Sequence, residues 1–273
     1  MSRLQKRFAD LKAGGRKALI PFITAGDPTS DVTVPLLHAL VKAGADVLEL
    51  GIPFSDPMAE GPAIQHACER ALLHHVTTHD VLNLVREFRK QDDETPIVLM
   101  GYLNPIEVLG YEAFAEEAVT AGADGMITVD LPPEEADDYL AAFHKHGLDS
   151  IFLLAPTSTD ARIKQVAAAA SGFVYYVSLR GVTGASHIDT NEVQEKLNII
   201  KSVTDLPIAV GFGIHNADTA AEVARIADAV VVGSAIVKRI AELVGQPDKI
   251  NQDIGEFLSG LRAAIDKTSE AAA

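Results

Sequence analysis

The sequence predicts one α/β domain, a closed barrel of eight parallel strands each followed by a helix, the (β/α)8 or TIM barrel. Three observations support this prediction: eight short apolar runs recur along the 273 residues, helical patterns lie between them, and one junction motif is repeated. Single barrels of this kind often contain ~200–250 residues. No linker or shift in composition divides the chain, so residues 1–273 are predicted to form one domain. An open, doubly wound sheet is the alternative, because it shows the same alternation of strand and helix.

The eight runs are apolar on successive residues, which is typical of strands that are buried on both faces. They span residues 18–24, 46–50, 96–101, 125–129, 150–154, 173–177, 207–211 and 229–232. Apolar residues at helical spacing follow in 32–41, 114–119, 134–143, 160–169, 191–203 and 217–226. Strand alternating with helix implies right-handed crossovers and a parallel sheet.

The junction motif consists of a glycine and an aspartate that stand just before a strand. It reads Lys-Ala-Gly-Ala-Asp at 42–46, Thr-Ala-Gly-Ala-Asp at 120–124 and His-Gly-Leu-Asp at 146–149. A glycine beyond a helix end adopts the left-handed conformation without a steric penalty. Three copies therefore indicate one repeated unit.

Three segments exceed this unit. Residues 1–11 place Leu4, Phe8 and Leu11 on one helical face, and we expect this extra helix to close the bottom of the barrel rather than lie on a membrane. Residues 52–94 contain enough apolar residues for two helices, the first beginning near Pro62, and 235–243 form an extra helix in the eighth unit. The tail, 267–273, is predicted to fray.

Composition excludes several classes of protein. With 48% hydrophobic and 22% charged residues the chain is neither disordered nor collagen-like, and no stretch approaches the ~20 apolar residues of a membrane span. The start lacks the apolar core of a signal peptide, and a single cysteine, Cys68, excludes a disulfide framework; both features predict a cytoplasmic protein.

The net charge of −15, without any basic run, argues against nucleic acid as a partner. It also implies that an anionic substrate would have to be held by local backbone N–H groups and helix N-termini.

Glu49 is the first candidate catalytic residue. It interrupts the apolar run Val-Leu-Glu-Leu-Gly, where burial would raise its pKa and suit it to proton transfer near neutral pH. A buried structural ion pair is the alternative. The loop that follows, 51–62, carries Asp56 and Glu60 between prolines and is typical of a lid, a partner surface or a plain solvated loop.

Glycines follow the three last strands, at Gly181-Val-Thr-Gly184, Gly211-Phe-Gly-Ile214 and Gly233-Ser234. Loops after the last strands, with a short extra helix, form the phosphate site of many barrels. Simple turn glycines are the alternative. His75 and His79 have metal-ligand spacing, but no third ligand accompanies them, so no metal site is predicted.

These residues resemble one family. Leu-Glu-Leu-Gly-Ile-Pro-Phe-Ser-Asp-Pro-Met-Ala-Glu-Gly-Pro-Ala-Ile-Gln, at 48–65, is similar to the signature of the tryptophan synthase alpha chain. Pro-Phe-Ile-Thr-Ala-Gly-Asp-Pro at 21–28, Met-Gly-Tyr-Leu-Asn-Pro at 100–105 and Asp-Leu-Pro-Pro at 130–133 match in order, as do the glycine segments that begin at Gly181 and Gly211. The resemblance covers essentially the whole chain.

The resemblance implies reversible retro-aldol cleavage of indole-3-glycerol phosphate to indole and glyceraldehyde 3-phosphate, without cofactor or metal. It further implies that indole passes through a tunnel to a pyridoxal-phosphate beta chain in an assembly of two alpha and two beta chains. A weakly active regulatory subunit that mainly activates the beta chain is an alternative, and a sibling barrel acting on another phosphorylated aldol is a third.

The resemblance also assigns site residues. Glu49 would transfer protons, Glu60 would accept the indole N–H, and Thr183 would orient Glu60. Gly184, Gly213, Gly233 and Ser234 would hold the phosphate. The indole walls would be Phe22, Met100, Ile127, Leu153, Tyr175, Phe212 and Val232. The contacts to the beta chain would be Pro53, Asp56, Gly101, Tyr102, Asn104 and Pro105.

One position departs from the family pattern. An aspartate is usual in the Ala-Asp-Gly-Pro segment, whereas Glu60 stands there in this chain and places the carboxylate one methylene further from the backbone. A misplacement on the order of 1 Å can cost ~100-fold in rate unless the loop compensates.

Overall fold

The computed structural model describes residues 2–178, 190–211 and 213–270. The strands are β1 (Ala18–Thr24), β2 (Leu48–Gly51), β3 (Ile97–Gly101), β4 (Gly125–Thr128), β5 (Asp149–Leu154), β6 (Val174–Val177), β7 (Ile208–Gly211) and β8 (Ala229–Val232). Each pairs in parallel with the next, and β8 pairs with β1, so the sheet closes. The predicted (β/α)8 barrel is confirmed, and the open doubly wound sheet is excluded.

The helices surround the barrel and, in one case, lie beneath it. They are α1 (Arg3–Ala13), α2 (Ser30–Lys42), α3 (Pro62–Leu73), α4 (Thr78–Arg89), α5 (Leu103–Leu109), α6 (Tyr111–Ala121), α7 (Asp137–His146), α8 (Asp160–Ala169), α9 (Thr190–Lys201), α10 (Ala217–Ala224), α11 (Ser234–Glu242) and α12 (Pro247–Glu270). The extra helices predicted at the N-terminus and in the second and eighth units are all present. Among the described residues, no helix is long and apolar enough to cross a membrane.

The third unit contains a helix that the sequence analysis missed. The segment from Leu103 to Leu109 is too short to show a clear helical period, and it contains Pro105, a residue type that disrupts helix interiors. Pro105 lies in the first turn, where backbone N–H groups have no partner within the helix, so its missing N–H costs nothing.

The tail prediction is corrected in part. The last helix continues to Glu270, four residues into the segment expected to fray. Ile265 is fully buried, and the Thr268 hydroxyl donates to the Ile265 carbonyl (2.7 Å), so packing and a local hydrogen bond extend the helix.

The repeated junction has the predicted conformation. Gly44 and Gly122 have φ of 102° and 101°. The aspartates that follow are buried, and each accepts an N–H from the preceding strand: Asp46 from Leu19 (2.9 Å) and Asp124 from Ile97 (2.8 Å). The motif thus ends a helix and also ties the starts of neighbouring strands together.

The bottom of the barrel is closed by α1, as predicted. Leu4, Phe8 and Leu11 are buried and belong to the same cluster as the inward-facing strand residues. The Phe8 ring packs on that of Phe173 with centroids 5.8 Å apart. Access to the barrel interior is therefore left to the C-terminal ends of the strands.

Candidate active site

Strand alternation turns Glu49 into the barrel. On the neighbouring strand Leu19 and Ile23 pack against the helices, whereas Ile20 belongs to the barrel interior. Glu49 stands beside Phe22 on β1 and Val98 on β3, both of which face inward. Its side chain is only 2% exposed. A carboxyl group thus interrupts an otherwise apolar interior.

A cavity of about 300 Å³ opens at the C-terminal ends of the strands. A cavity of this size can take a small organic ligand. Eight of the predicted site residues line it: Phe22, Glu49, Glu60, Met100, Tyr175, Gly213, Gly233 and Ser234. The fold therefore gathers residues from β1, β2, β3 and β6 and from the loops after β2, β7 and β8.

The two carboxyl groups in this cavity have strongly perturbed acidity. Burial, and secondarily the nearby negative charge of Glu60, raises the pKa of Glu49 to about 8. Burial alone raises the pKa of Glu60 to about 7. Within the described part of the chain, Oε2 of Glu49 has no hydrogen-bond partner. The buried ion pair that was the alternative for Glu49 is absent there, which favours proton transfer as its role.

The loop that carries Glu60 is ordered by its own contacts. The Glu60 N–H donates to the Pro57 carbonyl (3.0 Å), and the Gln65 side chain donates to the Glu60 carbonyl (2.8 Å). Pro62 begins α3, as predicted. These contacts hold the backbone of Glu60, and its side chain lines the cavity.

Two strand-end glycines make room for the aromatic walls. A Cβ on Gly51 would lie 2.7 Å from the Phe22 ring, and one on Gly211 would lie 2.2 Å from the Tyr175 hydroxyl. Neither glycine has a positive φ, so the close approach of the ring is what requires glycine at each position.

The far rim of the cavity is formed by the N-terminus of α11. Ser234 is its first residue, and Ala235 and Lys238 line the cavity from the same helix. Free N–H groups and the positive end of the helix dipole attract an anion. Lys238 adds a cationic side chain one turn further along, in a protein whose net charge is −15.

Three predicted indole-wall residues do not line this cavity. Ile127 is fully buried in the barrel interior, and Leu153 lines a separate cavity at the ends of β4 to β6. Val232 packs in the layer between strands and helices, while its neighbour Val231 lines the cavity. The predicted residue, Val232, is one position after the residue that lines the cavity. Successive side chains of a strand point to opposite faces, so this shift of one residue turns the side chain to the helices. Thr183, Gly184 and Phe212 lie outside the described residues.

The sequence analysis also missed lining residues. Besides Val231, Ala235 and Lys238, the cavity is lined by Gly61, Ile64, Ile214 and His215. The signal for Lys238 was available, since a residue four positions after a helical residue lies on the same face, and Ser234 was already assigned to the site.

The predicted partner contacts divide into buried and accessible residues. Pro53, Gly101 and Tyr102 are buried within this chain, so they support a surface rather than form one. Asp56 and Asn104 are exposed and Pro105 is half-buried. Met58 and Val108, which were not predicted, are 84% and 78% exposed on the same two segments. Exposed apolar side chains of this size are typical of binding surfaces when they cluster.

No metal centre stands out among the described residues, where no three His, Cys, Asp or Glu side chains are grouped to hold an ion. His79 instead contacts Glu117 (3.1 Å).

Burial of Glu49 predicts a pH-dependent cost in stability. Its pKa of about 8 in the folded chain exceeds the ordinary 4.5, so the folded state retains a proton that the unfolded state loses between these pH values. Stability should therefore fall as pH rises through this window, by roughly 5 kcal/mol at most. We expect Glu49→Gln to abolish this loss, so that urea unfolding shows a stabilisation at pH 9 that is nearly absent at pH 5. Glu69→Gln, on the exposed face of α3, is the control, and equal gains at both pH values would contradict the prediction.

The closed barrel, with two carboxyl groups in a cavity at the C-terminal ends of its strands, is typical of a (β/α)8-barrel enzyme. The sequence model of the tryptophan synthase alpha chain matches residues 8–266. The chain belongs to the tryptophan synthase alpha chain family. Its activity is the cleavage of indole-3-glycerol phosphate, a carbon–carbon lyase reaction of tryptophan biosynthesis.

Relatives and solved structures agree over the full length. The tryptophan synthase alpha chain of Thioalkalivibrio sulfidiphilus is 62% identical over 266 residues, 97% of this chain and 100% of that protein. The tryptophan synthase alpha chain of Methylococcus capsulatus is 58% identical over 266 residues, again 97% of this chain and 100% of that protein. The crystal structure of tryptophan synthase subunit alpha from Legionella pneumophila superposes with a TM-score of 0.91 at 51% identity, covering 98% of this chain and 99% of that one. A chain of Mycobacterium tuberculosis tryptophan synthase superposes with a TM-score of 0.87 at 38% identity, covering 97% and 98%. The alternative of a mainly regulatory subunit is not favoured.

Proposed function

We propose that Glu49 transfers the protons in the cleavage of indole-3-glycerol phosphate. A proton is added to C3 of the indole, the bond from C3 to the glycerol carbon breaks, and the hydroxyl on that carbon loses its proton as the aldehyde forms. The observation that carries this proposal is the inward-facing, fully buried Glu49 with a pKa of about 8. Such a group is protonated at neutral pH and can both donate and recover a proton.

Glu60 is proposed to accept the indole N–H. With a pKa of about 7 it is substantially ionised at neutral pH, and an ionised carboxylate both accepts that hydrogen bond and stabilises positive charge developing on the ring. Its place in the same cavity as Glu49 supports this role. Thr183, as the family resemblance implies, would orient Glu60.

The phosphate is proposed to bind at the rim of the cavity formed by α11. The positions of Gly213, Gly233 and Ser234 along the cavity, together with the helix dipole, support this, and Lys238 supplies the neutralising charge. Gly184 would complete the site, as the resemblance implies.

The indole is proposed to lie against the apolar wall of the cavity. Phe22, Met100 and Tyr175 support this placement, and Val231 takes the place first assigned to Val232. Ile127, Leu153 and Phe212 remain proposed neighbours from the family resemblance.

The chain is further proposed to act with a tryptophan synthase beta chain, as two alpha and two beta chains in the cytoplasm. Structures of tryptophan synthase from Mycobacterium tuberculosis are among those with which it superposes. The surface of Asp56, Met58, Asn104 and Val108, beside the cavity, is the proposed contact. Indole would pass from the cavity into the beta chain, which carries the pyridoxal phosphate, while the alpha reaction needs no cofactor.

The test of this function is an indole-release assay on the purified chain, with and without a beta chain. We expect indole and glyceraldehyde 3-phosphate to appear in equal amounts and faster with the beta chain, which would order the loops. Glu60→Asp should retain activity, because the charge is kept and the loop can adjust, whereas Glu60→Gln should lose about 100-fold in kcat. Wild-type turnover in Glu60→Gln would refute the role of Glu60.

A further inference from the structure

The position of the Glu60 carboxylate depends on the backbone of its loop. Glutamate places the charge four bonds from the backbone, so a small shift of the chain displaces the carboxylate within the cavity. The residue before it, Ala59, donates its backbone N–H to the hydroxyl of Tyr102 (2.9 Å). This bond connects the loop after β2 to the loop after β3, 43 residues later in sequence.

Tyr102 is held firmly enough to serve as an anchor. Its side chain is 5% exposed, and its ring stacks on Phe54 of the same loop, with centroids 5.2 Å apart and an interplanar angle of 23°. Burial is the main cause that raises the pKa of Tyr102 to about 12, so the hydroxyl is neutral at working pH and accepts the Ala59 N–H as a phenol. Tyr102 thus holds the loop at two points: its ring stacks on Phe54, and its hydroxyl oxygen accepts the Ala59 N–H.

Tyr102 also stands at the start of the proposed partner surface. It is the N-cap residue of α5, a helix of seven residues. The next residue, Leu103, donates its N–H to Asp130 (2.8 Å), and Asn104 and Val108 are exposed on the same helix. A partner that binds α5 would therefore contact a helix whose N-cap residue, Tyr102, holds the loop of Glu60.

We propose that Tyr102 is a positioning residue that sets the place of the Glu60 carboxylate through the Ala59 N–H and transmits contact at α5 to that carboxylate. The proposal rests on the function proposed for Glu60. The hydroxyl of Tyr102 is required for this role, because it accepts the Ala59 N–H, whereas the ring stacks on Phe54. Tyr102 itself contacts no reacting atom in this arrangement.

Tyr102→Phe separates these roles, since it keeps the ring and removes the acceptor. In the indole-release assay we expect kcat to fall about 10- to 100-fold, as for a misplacement near 1 Å, while KM changes less than about twofold. Acceleration by the beta chain should fall by a similar factor. The matched control is Tyr111→Phe, whose hydroxyl donates to Glu107 on the surface of the same unit and which should behave as wild type.

A double-mutant cycle tests whether Tyr102 acts through Glu60. In a Glu60→Gln background, Tyr102→Phe should change kcat less than about twofold, because the group that it positions has gone. Equal effects in the two backgrounds would overturn the proposal, as would unchanged kcat and unchanged beta-chain acceleration in Tyr102→Phe alone. Wild-type activity of Glu60→Gln would instead refute the function proposed for Glu60, so the two failures are distinguishable. Thermal unfolding of each variant identifies any loss of fold.

Discussion

Replacing Glu49 by glutamine is expected to reduce indole release by about 10²–10⁴-fold, the range that a general acid–base group contributes. Glutamine has nearly the shape of the protonated acid, so the cavity and the fold should be retained. It can neither deliver a proton to C3 of the indole nor recover one from the hydroxyl. Because the loss lies in the chemical step, we expect kcat to fall and KM for indole-3-glycerol phosphate to change little.

The control for this experiment is Glu69→Gln, which removes an exposed carboxylate of α3 that contacts His66. It should leave turnover unchanged. The same Glu49→Gln preparation should be more stable than wild type above pH 8, so inactivity cannot be attributed to unfolding. Unchanged turnover in Glu49→Gln would reject the assignment of proton transfer to this residue.

Gly211→Ala is expected to weaken substrate binding severely. The new Cβ would stand 2.2 Å from the Tyr175 hydroxyl, a distance that real atoms do not adopt, so the ring must move. Tyr175 lines the cavity of about 300 Å³, so we expect the displaced ring to occupy part of that space. We expect KM for indole-3-glycerol phosphate to rise at least about tenfold, since the indole would lose part of its volume.

Gly61→Ala is the matched control for Gly211→Ala. Gly61 lines the same cavity, has an extended backbone conformation as the N-cap of α3, and would present its Cβ to open space. It should keep KM within about twofold of wild type. Equal KM values for both alanine variants would show that the position of the Tyr175 ring does not determine how well the substrate binds.

The barrel could be predicted from sequence because its signals are local and repeated. Each strand run is buried on both sides and therefore apolar throughout, and Gly44 and Gly122 mark the ends of helices before the next strand. Glu49 was evident for the same reason, as a charge within an apolar run. The helix α5 was missed because it is short and contains Pro105 in its first turn.

The details of the site depended on facts that a linear pattern does not contain. A strand that is apolar at every position gives no alternation from which the inward-facing residues can be identified. Val232 was therefore predicted for the indole wall, whereas Val231 lines the cavity. Tyr102 was assigned to the partner surface because it follows a strand end, yet its side chain is buried against Phe54. Strand register and side-chain direction decide both cases, and they are set by long-range packing.

The helix beneath the barrel determines which way the products leave. With Leu4, Phe8 and Leu11 closing the bottom of the barrel, the cavity described above opens at the C-terminal ends of the strands, and indole released there would leave at that end. Asp56 and Met58 in the loop after β2, and Asn104 and Val108 on α5 after β3, are exposed at the same end of the barrel. A beta chain docked on them would receive the released indole before bulk water could, and would control substrate entry by the same contact.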